Sequence, residues 1–219
     1  MASMAHRVAK GLVGGCALLL GVTVTGCGAP QYTYVANSSQ STYFKVPHGW
    51  HQINAGQLSK AMEAVLGSAG SGWQVAYQAG SKPDADDFLS FGADQPFVFA
   101  EIGALTSTAS QGLSYDALRD FFLPVSSTAR GDEPAGFPLT DFKQIRDQVL
   151  TPGLGVHGVR ETFDYTYEGS TDTFDEIALT NAEDTTVYFM VLHCTTSCYS
   201  TDQTEINDVM SSFTIRSSS

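Results

Sequence analysis

Three strand-like segments follow one another closely in the last third of the chain, and they constrain its fold more than any other feature. The first, VRETFDYTY at 159–167, alternates apolar and polar residues, as a strand with one buried face does. The second, TFDEIALTN at 173–181, is weaker, whereas the third, TTVYFMVLH at 185–193, is apolar on both faces and predicts a central strand. The short connections between them suit hairpins, so the segments predict an antiparallel sheet.

The rest of the chain predicts helices that pack on this sheet. Asn54 is a candidate N-cap, and an apolar stripe at helical spacing follows it up to residue 66. Further helices are predicted at 114–124, 140–150 and 202–212, and a Gly/Pro-rich loop at 125–139. Additional strands are predicted within 43–54, 73–79 and 96–106. The pattern predicts an α+β fold, an α/β/α sandwich with a mainly antiparallel sheet and helices on its faces.

The first 26 residues have the pattern of a secretory signal peptide. MASMAHRVAK carries two basic residues and no acid, and the apolar run after it is too short to cross a bilayer. Val24-Thr25-Gly26-Cys27 then resembles the bacterial lipobox, which implies lipid attachment to Cys27 and cleavage before it. We therefore expect a lipoprotein signal peptide at 1–26 and a palmitate-type lipid anchor on Cys27 at the outer face of the cell membrane. The alternative is an ordinary secretory signal with a chance cysteine.

The remaining chain is long enough for one domain. Residues 28–41 are small, polar and nearly uncharged, so we expect 27–41 to form a lipidated N-terminus and a flexible tether. Residues 42–216 then form a single domain, and 217–219 a short tail. The chain has 11 basic and 23 acidic residues, a net charge of −12. Because nucleic-acid binding relies on Lys and Arg at phosphates, no nucleic-acid partner is expected.

The stretch HCTTSC at 193–198 contains the two cysteines of the predicted domain, Cys194 and Cys198. Disulfides persist outside the cytoplasm, so we expect a structural disulfide, which requires the strand to end near Cys194 and a tight turn to follow. One alternative is a copper or redox site, because a C-x3-C pair can bind Cu(I) and His193 is a further candidate ligand. If the strand continues to Cys194, however, His193 points to the opposite face, which disfavours joint ligation. The other alternative is two free thiols.

Other motifs point away from catalysis. Residues 153–158 read G-x-G-x-x-G, but the predicted helix precedes them and the predicted strand follows. A dinucleotide site requires the reverse order, so we interpret the motif as a helix-to-strand loop. The sequence has no G-x-S-x-G nucleophile motif. We therefore expect neither an enzyme nor a bound cofactor.

Two stretches resemble the PsbP-like family. YFKVPHGW at 43–50 is similar to the opening of these domains, and INDVMSSFTI at 206–215, after a buried strand, is similar to their ending. The superfamily includes the extrinsic photosystem II protein, the eukaryotic Mog Ran-binding proteins and LpqN-type lipoproteins of high-GC bacteria. The resemblance implies an α/β/α sandwich around an antiparallel sheet, but it implies no shared activity and no catalytic residues. Members of the family mostly bind other macromolecules, and HCTTSC is not part of the family pattern.

These features predict a lipid-anchored, extracytoplasmic protein that binds a protein partner without catalysis. The loop at 125–139 is a candidate recognition surface, because loops vary while the scaffold packs. The alternatives are a copper or redox protein that uses Cys194 and Cys198, and a carrier of an apolar ligand in a cavity between sheet and helices.

Overall fold

The computed structural model describes residues 31–66, 72–88 and 90–216, so the predicted signal peptide, Cys27 and the predicted tail lie outside the described residues. The strands are β1 (Tyr32–Asn37), β2 (Thr42–Pro47), β3 (His51–Gln52), β4 (Trp73–Gln78), β5 (Phe97–Ala104), β6 (Thr140–Gly153), β7 (Val156–Tyr167), β8 (Ser170–Thr180), β9 (Thr186–Thr195) and β10 (Thr214–Ile215). The helices are α1 (Ala55–Leu66), α2 (Ser107–Gln111), α3 (Tyr115–Arg119), α4 (Ser127–Gly131), α5 (Thr196–Thr201) and α6 (Gln203–Met210). Short 3-10 turns lie at Ser38–Gln40 and Ala85–Phe88.

The strands form two antiparallel sheets. The large sheet has the order β3-β4-β5-β9-β8-β7-β6, and the small sheet has the order β1-β2-β10. The predicted hairpins β7-β8 and β8-β9 are present, and β9 lies in the middle of the large sheet, as its apolar faces require. Antiparallel strands with separate helices confirm the predicted α+β class.

Each face of the large sheet buries its own apolar cluster. Met190 and Leu192 of β9 point toward the small sheet, α5 and α6, so we call this side the small-sheet face. Phe189 and Val191 point toward α1 and α3, and we call that side the helical face. The predicted sandwich is therefore present, with the small sheet as an additional part of one outer layer.

The segment at 140–150, predicted as a helix, is instead the first part of strand β6. Its pairing with β7 shifts register at three places, between Thr140 and Lys143, Gln144 and Arg146, and Leu150 and Gly153. Each shift interrupts the two-residue alternation of apolar and polar residues that is typical of a strand. The spacing of apolar residues that remains in the sequence resembles that of a helix. The prediction was wrong because pairing along β7 outweighs local helical propensity.

The segment at 32–41, predicted as part of the tether, is folded. All six residues of β1 pair with β2, from Tyr32 opposite Pro47 to Asn37 opposite Thr42. Val35 is buried beneath the small sheet, and the Asn37 side chain accepts a hydrogen bond that caps the following 3-10 turn. A flexible tether over these residues is therefore wrong, and the folded part begins before the predicted boundary at residue 42.

The first predicted helix is present as α1, whereas two of the later ones are shorter than expected. The predicted helix at 114–124 contains only α3, although Ser114 caps it as predicted by accepting from the Ala117 N–H at 3.0 Å. The predicted loop at 125–139 contains α4 and connects α3 to a strand. The last predicted helix, 202–212, contains α6, and α5 is an additional helix that lies directly before it.

Candidate functional site

The cysteine pair lies where the central strand β9 meets helix α5. Cys194 is near the end of β9 and Cys198 is in the first turn of α5, with their Cα atoms 5.9 Å apart and their sulfur atoms at bonding distance. This Cα distance lies within the range of disulfides. The loop is a helix start rather than an isolated turn, because the Thr195 hydroxyl accepts from the Cys198 N–H at 3.3 Å and caps α5.

His193 points away from the two cysteines. Its ring stacks on Phe174 of the helical face, with centroids 5.1 Å apart, whereas Cys194 is buried on the small-sheet face. The predicted opposition of the two side chains is present, so this strand geometry does not bring His193 to the sulfur atoms. Across residues 31–66, 72–88 and 90–216, no cluster of three or more His, Cys, Asp and Glu could hold a metal ion.

The G-x-G-x-x-G motif forms the β6-β7 hairpin. Leu154 and Gly155 are its two loop residues, and both have a positive φ, 60° and 76°, as a type I′ turn requires. The prediction that this motif is a helix-to-strand loop was wrong, because a strand precedes the turn and another follows it. A Cβ at Gly158 would clash with the carbonyl of Ala178 on β8, so this position requires glycine. The motif therefore closes a hairpin and packs two strands.

On the small-sheet face, a buried ion pair connects the sheet to the C-terminal helices. The Arg160 guanidinium donates to both oxygens of Asp175 at 2.9 and 2.8 Å, and the Tyr199 hydroxyl donates to the same carboxylate at 2.8 Å. Arg160 also donates to Asn207 and Ser211 on and after α6. Such bidentate pairs are strong and directional, so this group orients α5 and α6 on β7 and β8.

On the helical face, two glutamates lie directly opposite each other on β7 and β8. Glu161 and Glu176 are register partners with no exposed surface. Arg119 of α3 approaches Glu161 with its Nε at 2.9 Å, but it also pairs with Asp116 and Asp147. Among the described residues, neither oxygen of Glu176 has a hydrogen-bond partner.

Burial raises the pKa of both glutamates. It raises the pKa of Glu161 to about 7, with the Asp147 carboxylate adding to the rise and Arg119 opposing it. Burial, and then the charge of Glu161, raises the pKa of Glu176 well above 4.5. The sequence carried a signal for this pair that was missed: strand alternation places Glu161 on the same face as Val159 and Phe163.

The predicted recognition loop at 125–139 is fastened to the sheet rather than projecting from it. Asp120 accepts from the backbone N–H groups of Val125 and Ser126 at 2.8 and 2.7 Å. The Arg130 guanidinium lies 4.1 Å from the ring centroid of Phe142 on β6. These contacts hold the loop in place, although most of its residues from 127 to 138 are exposed.

Strand β6 is the long edge of the large sheet. Within the described part of the chain it pairs only with β7, so the opposite row of its backbone groups has no strand partner. Ile145 and Val149 are about half exposed, at 52% and 49%, and Leu154 in the following turn is 63% exposed. A groove of about 420 Å³ lies beside the strand. Its lining includes the polar residues Gln148, Thr151 and Thr214 and the apolar residues Val149, Leu150, Ile177, Leu179, Phe213 and Ile215. We call β6 and this groove the edge surface.

Comparisons with known proteins identify the fold. No protein-family model matches the chain, and no curated protein matches it in sequence. The solution structure of the cyanobacterial PsbP protein CyanoP from Synechocystis has a TM-score of 0.51 at 15% identity, and the match covers 93% of this chain and 99% of CyanoP. The Ran-binding protein Mog1p of Saccharomyces cerevisiae matches with a TM-score of 0.46 at 9% identity over 84% of this chain and 95% of its own. A Pseudomonas aeruginosa protein of unknown function matches with a TM-score of 0.43 at 15% identity, over 86% of this chain and 100% of its own.

The described residues contain no helix of the length and apolar character of a membrane span. The strand order, the helices on both faces and the likeness to CyanoP over nearly the whole of both chains agree with the resemblance noted in YFKVPHGW and INDVMSSFTI. The chain therefore has the same α+β fold as CyanoP.

Proposed function

We propose that this protein is a lipid-anchored, non-catalytic binding module at the outer face of the cell membrane, and that it captures a protein partner along the edge surface. The exposed edge strand β6, with half-exposed Ile145 and Val149 beside an apolar groove, carries the proposal. Exposed apolar side chains at an open strand edge are uncommon, because such edges attract other strands.

The partner contributes an extended segment to this edge. A strand added to β6 gains main-chain hydrogen bonds, and its alternate side chains enter the groove beside Leu150 and Phe213. The register shifts divide β6 and leave Arg146 to Leu150 as a stretch with regular geometry. We therefore expect the added strand to pair over about five residues, with apolar side chains at alternate positions.

The experiment compares two matched variants of the lipidated protein. A photo-cross-linking residue replaces Val149 on the edge surface or, as the control, Glu63 on the exposed side of α1. Irradiation in cells should give a discrete partner adduct from position 149 and none from position 63. A synthetic peptide from the cross-linked segment should then protect the amides of Gln148 to Leu150 from hydrogen exchange. Adducts from position 63 alone, or protection away from β6, would contradict binding at this edge.

A second pair of variants separates binding from folding. I145K together with V149K places charges in the edge surface and should abolish binding of the peptide that cross-linking identifies. K60E together with E63K changes exposed charges on α1 and should leave peptide binding unchanged. Both proteins should unfold at the same urea concentration as the wild type. Equal loss of binding in both pairs would exclude a specific role for the edge.

The anchor on Cys27 is supported by the lipobox-like Val24-Thr25-Gly26-Cys27 after an apolar run. Cys27→Ala should abolish lipidation, and the protein should then no longer mature as a lipoprotein. Mass spectrometry of the wild type should give an N-terminal cysteine that carries acyl chains. An unmodified N-terminus in protein from the culture medium would overturn the anchor.

The copper or redox alternative is tested on the same preparation. The disulfide proposal requires Cys194 and Cys198 to be joined in protein isolated without reductant, as their Cα separation of 5.9 Å permits. Two alkylatable thiols, or copper bound in stoichiometric amount, would favour the alternative. An apolar-ligand carrier would instead yield a co-purifying lipid or other apolar molecule, which mass spectrometry of an organic extract would detect.

A further inference from the structure

The folded domain begins very close to the proposed anchor. Tyr32, the first residue of β1, is the fifth residue after Cys27. A fully extended chain spans at most about 3.6 Å per residue, so Tyr32 lies within roughly 18 Å of Cys27 whatever path the connection takes. The tether expected from the sequence, which ended at residue 41, would have permitted a separation of roughly 50 Å. A lipid on Cys27 therefore holds the small sheet near the membrane surface.

The outer face of the small sheet has the chemistry of a membrane interface. Residues of β1 and β2 alternate, so Val35 and Phe44 point into the core while Tyr34 and Lys45 point outward. Tyr34 is 80% exposed. The outward residues include Tyr32, Tyr34, Tyr43 and Lys45. We call these four, together with Arg216 after β10, the aromatic–basic face.

Cations and aromatic rings are in contact on this face. Lys45 Nζ lies 3.9 Å from the centroid of the Tyr32 ring, and the Arg216 guanidinium lies 4.8 Å from that of Tyr43. Two of the 11 basic residues of this acidic chain are thus in contact with two tyrosine rings. Asp208 borders the face and accepts from the Tyr32 hydroxyl at 3.0 Å, and the charge of Glu205 also reaches Tyr32. Attraction to anions here therefore depends on Lys45 and Arg216 outweighing these two acids.

We propose that the aromatic–basic face lies against the headgroup region of an anionic lipid bilayer, the same membrane to which Cys27 is anchored. Tyrosine combines an apolar ring with a polar hydroxyl and favours the membrane interface, and each lysine or arginine near an anionic surface adds attraction. Because the lipid on Cys27 and the short segment after it already hold the face near the bilayer, even a weak affinity of the face for the headgroups is sufficient for contact. The proposal rests on the proposed lipidation, and it orients the edge surface relative to the membrane.

The test uses the full-length lipoprotein in vesicles of phosphatidylcholine and phosphatidylglycerol. An environment-sensitive fluorophore is attached at A36C, next to Tyr34 on the outward side of β1, or at T128C on α4 as the control. Flotation with the vesicles is measured first. The probe at 36 should shift to the blue and be quenched by headgroup-depth lipid quenchers, and the probe at 128 should change in neither respect.

The outcomes separate the anchor from the orientation. Absence of flotation would overturn the anchor and the orientation together. Flotation with equal signals at 36 and 128 would overturn the orientation alone. Y34S, at a side chain exposed enough to spare the fold, and K45E with R216E should each reduce the blue shift at 36 without reducing flotation. Vesicles of phosphatidylcholine alone should also reduce it, and a blue shift unaffected by all these changes would exclude this face as the contact.

Discussion

Consecutive residues of β7 carry opposite charges to opposite faces of the large sheet. Arg160 on the small-sheet face has a buried partner in Asp175, whereas Glu161 on the helical face lies opposite another acid, Glu176. A buried charge is tolerated when it is paired, and a buried carboxyl without a partner takes up a proton instead. At the residue scale, the two faces of this sheet therefore respond differently to pH and to mutation.

E176Q should change the pH dependence of stability. The folded protein keeps a proton on Glu176 that the unfolded chain, with a pKa near 4.5, releases. The free energy of unfolding therefore falls as pH rises above 4.5, by up to about 1.4 kcal/mol per pH unit for this proton. Glutamine has no such proton, so urea unfolding at about pH 5 and 7 should show a smaller fall in E176Q. Glu161 contributes a similar fall up to about pH 7 in both proteins. If the free energy of unfolding fell equally with pH in E176Q and in the wild type, Glu176 would be ionised in the folded state.

R160M should destabilise the protein strongly. It leaves the Asp175 carboxylate, which has no exposed surface, with Tyr199 as a remaining donor. Removal of one partner of a buried pair costs about 3–5 kcal/mol, because the other charge stays in the interior. The double variant R160M/D175N should lose less than the sum of the two single losses in urea unfolding. Strictly additive losses would mean that the pair is not coupled.

At the scale of elements, the small sheet depends on a strand that sequence composition concealed. QYTYVAN is polar and uncharged, yet β1 pairs along its whole length with β2 and buries its own Val35 in the core. The same sheet ends at β10, which is only two residues long. β1 is therefore the larger of the two outer strands on β2, and its loss should expose the core beneath.

A chain that begins at residue 42 should be less stable than one that begins at residue 31. The shorter chain lacks β1 and loses the burial of Val35, which contributes about 1.5–3 kcal/mol, together with the β1-β2 hydrogen bonds. The longer chain keeps every described residue and should unfold as C27A does. Thermal and urea unfolding would measure the difference. Equal stability of the two chains would restore the tether interpretation for 32–41.

Replacement of Cys194 and Cys198 together by serine should have a small effect. The loop that they close has five residues, so the chain-entropy contribution of the disulfide is only about 2 kcal/mol. The Thr195 cap and the Arg160 group would still hold α5 and α6 to the sheet. Circular dichroism should show an unchanged fold and urea unfolding a modest loss. A loss as large as that of R160M would assign the disulfide a wider role.

At the scale of the whole molecule, the net charge of −12 opposes the compact state. The Debye length shortens from about 30 Å at 0.01 M salt to about 8 Å at 0.15 M, which screens this repulsion. We expect the urea midpoint of C27A to rise over this range, equally in sodium chloride and choline chloride. A falling midpoint would mean that ion pairs such as that of Arg119 with Asp147 outweigh the repulsion.

Local chemistry alone determined the features that depend on neighbouring residues. The hairpins β7-β8 and β8-β9 follow from alternation and short loops, and Asn54 and Ser114 cap helices because their side chains reach the next N–H groups. The proximity of Cys194 and Cys198 follows from their separation of four residues and from the end of β9 between them.

Features that depend on distant partners could be identified only in the folded molecule. β6 is a strand because β7 pairs with it across bulges that hide the alternation, and β1 is ordered because β2 and the core beneath Val35 are present. Glu161 and Glu176 lie 15 residues apart and become neighbours only through the β7-β8 register. The edge surface and the aromatic–basic face arise in the same way, because exposure is a property of the assembled layers and no local pattern specifies which strand is left at the edge.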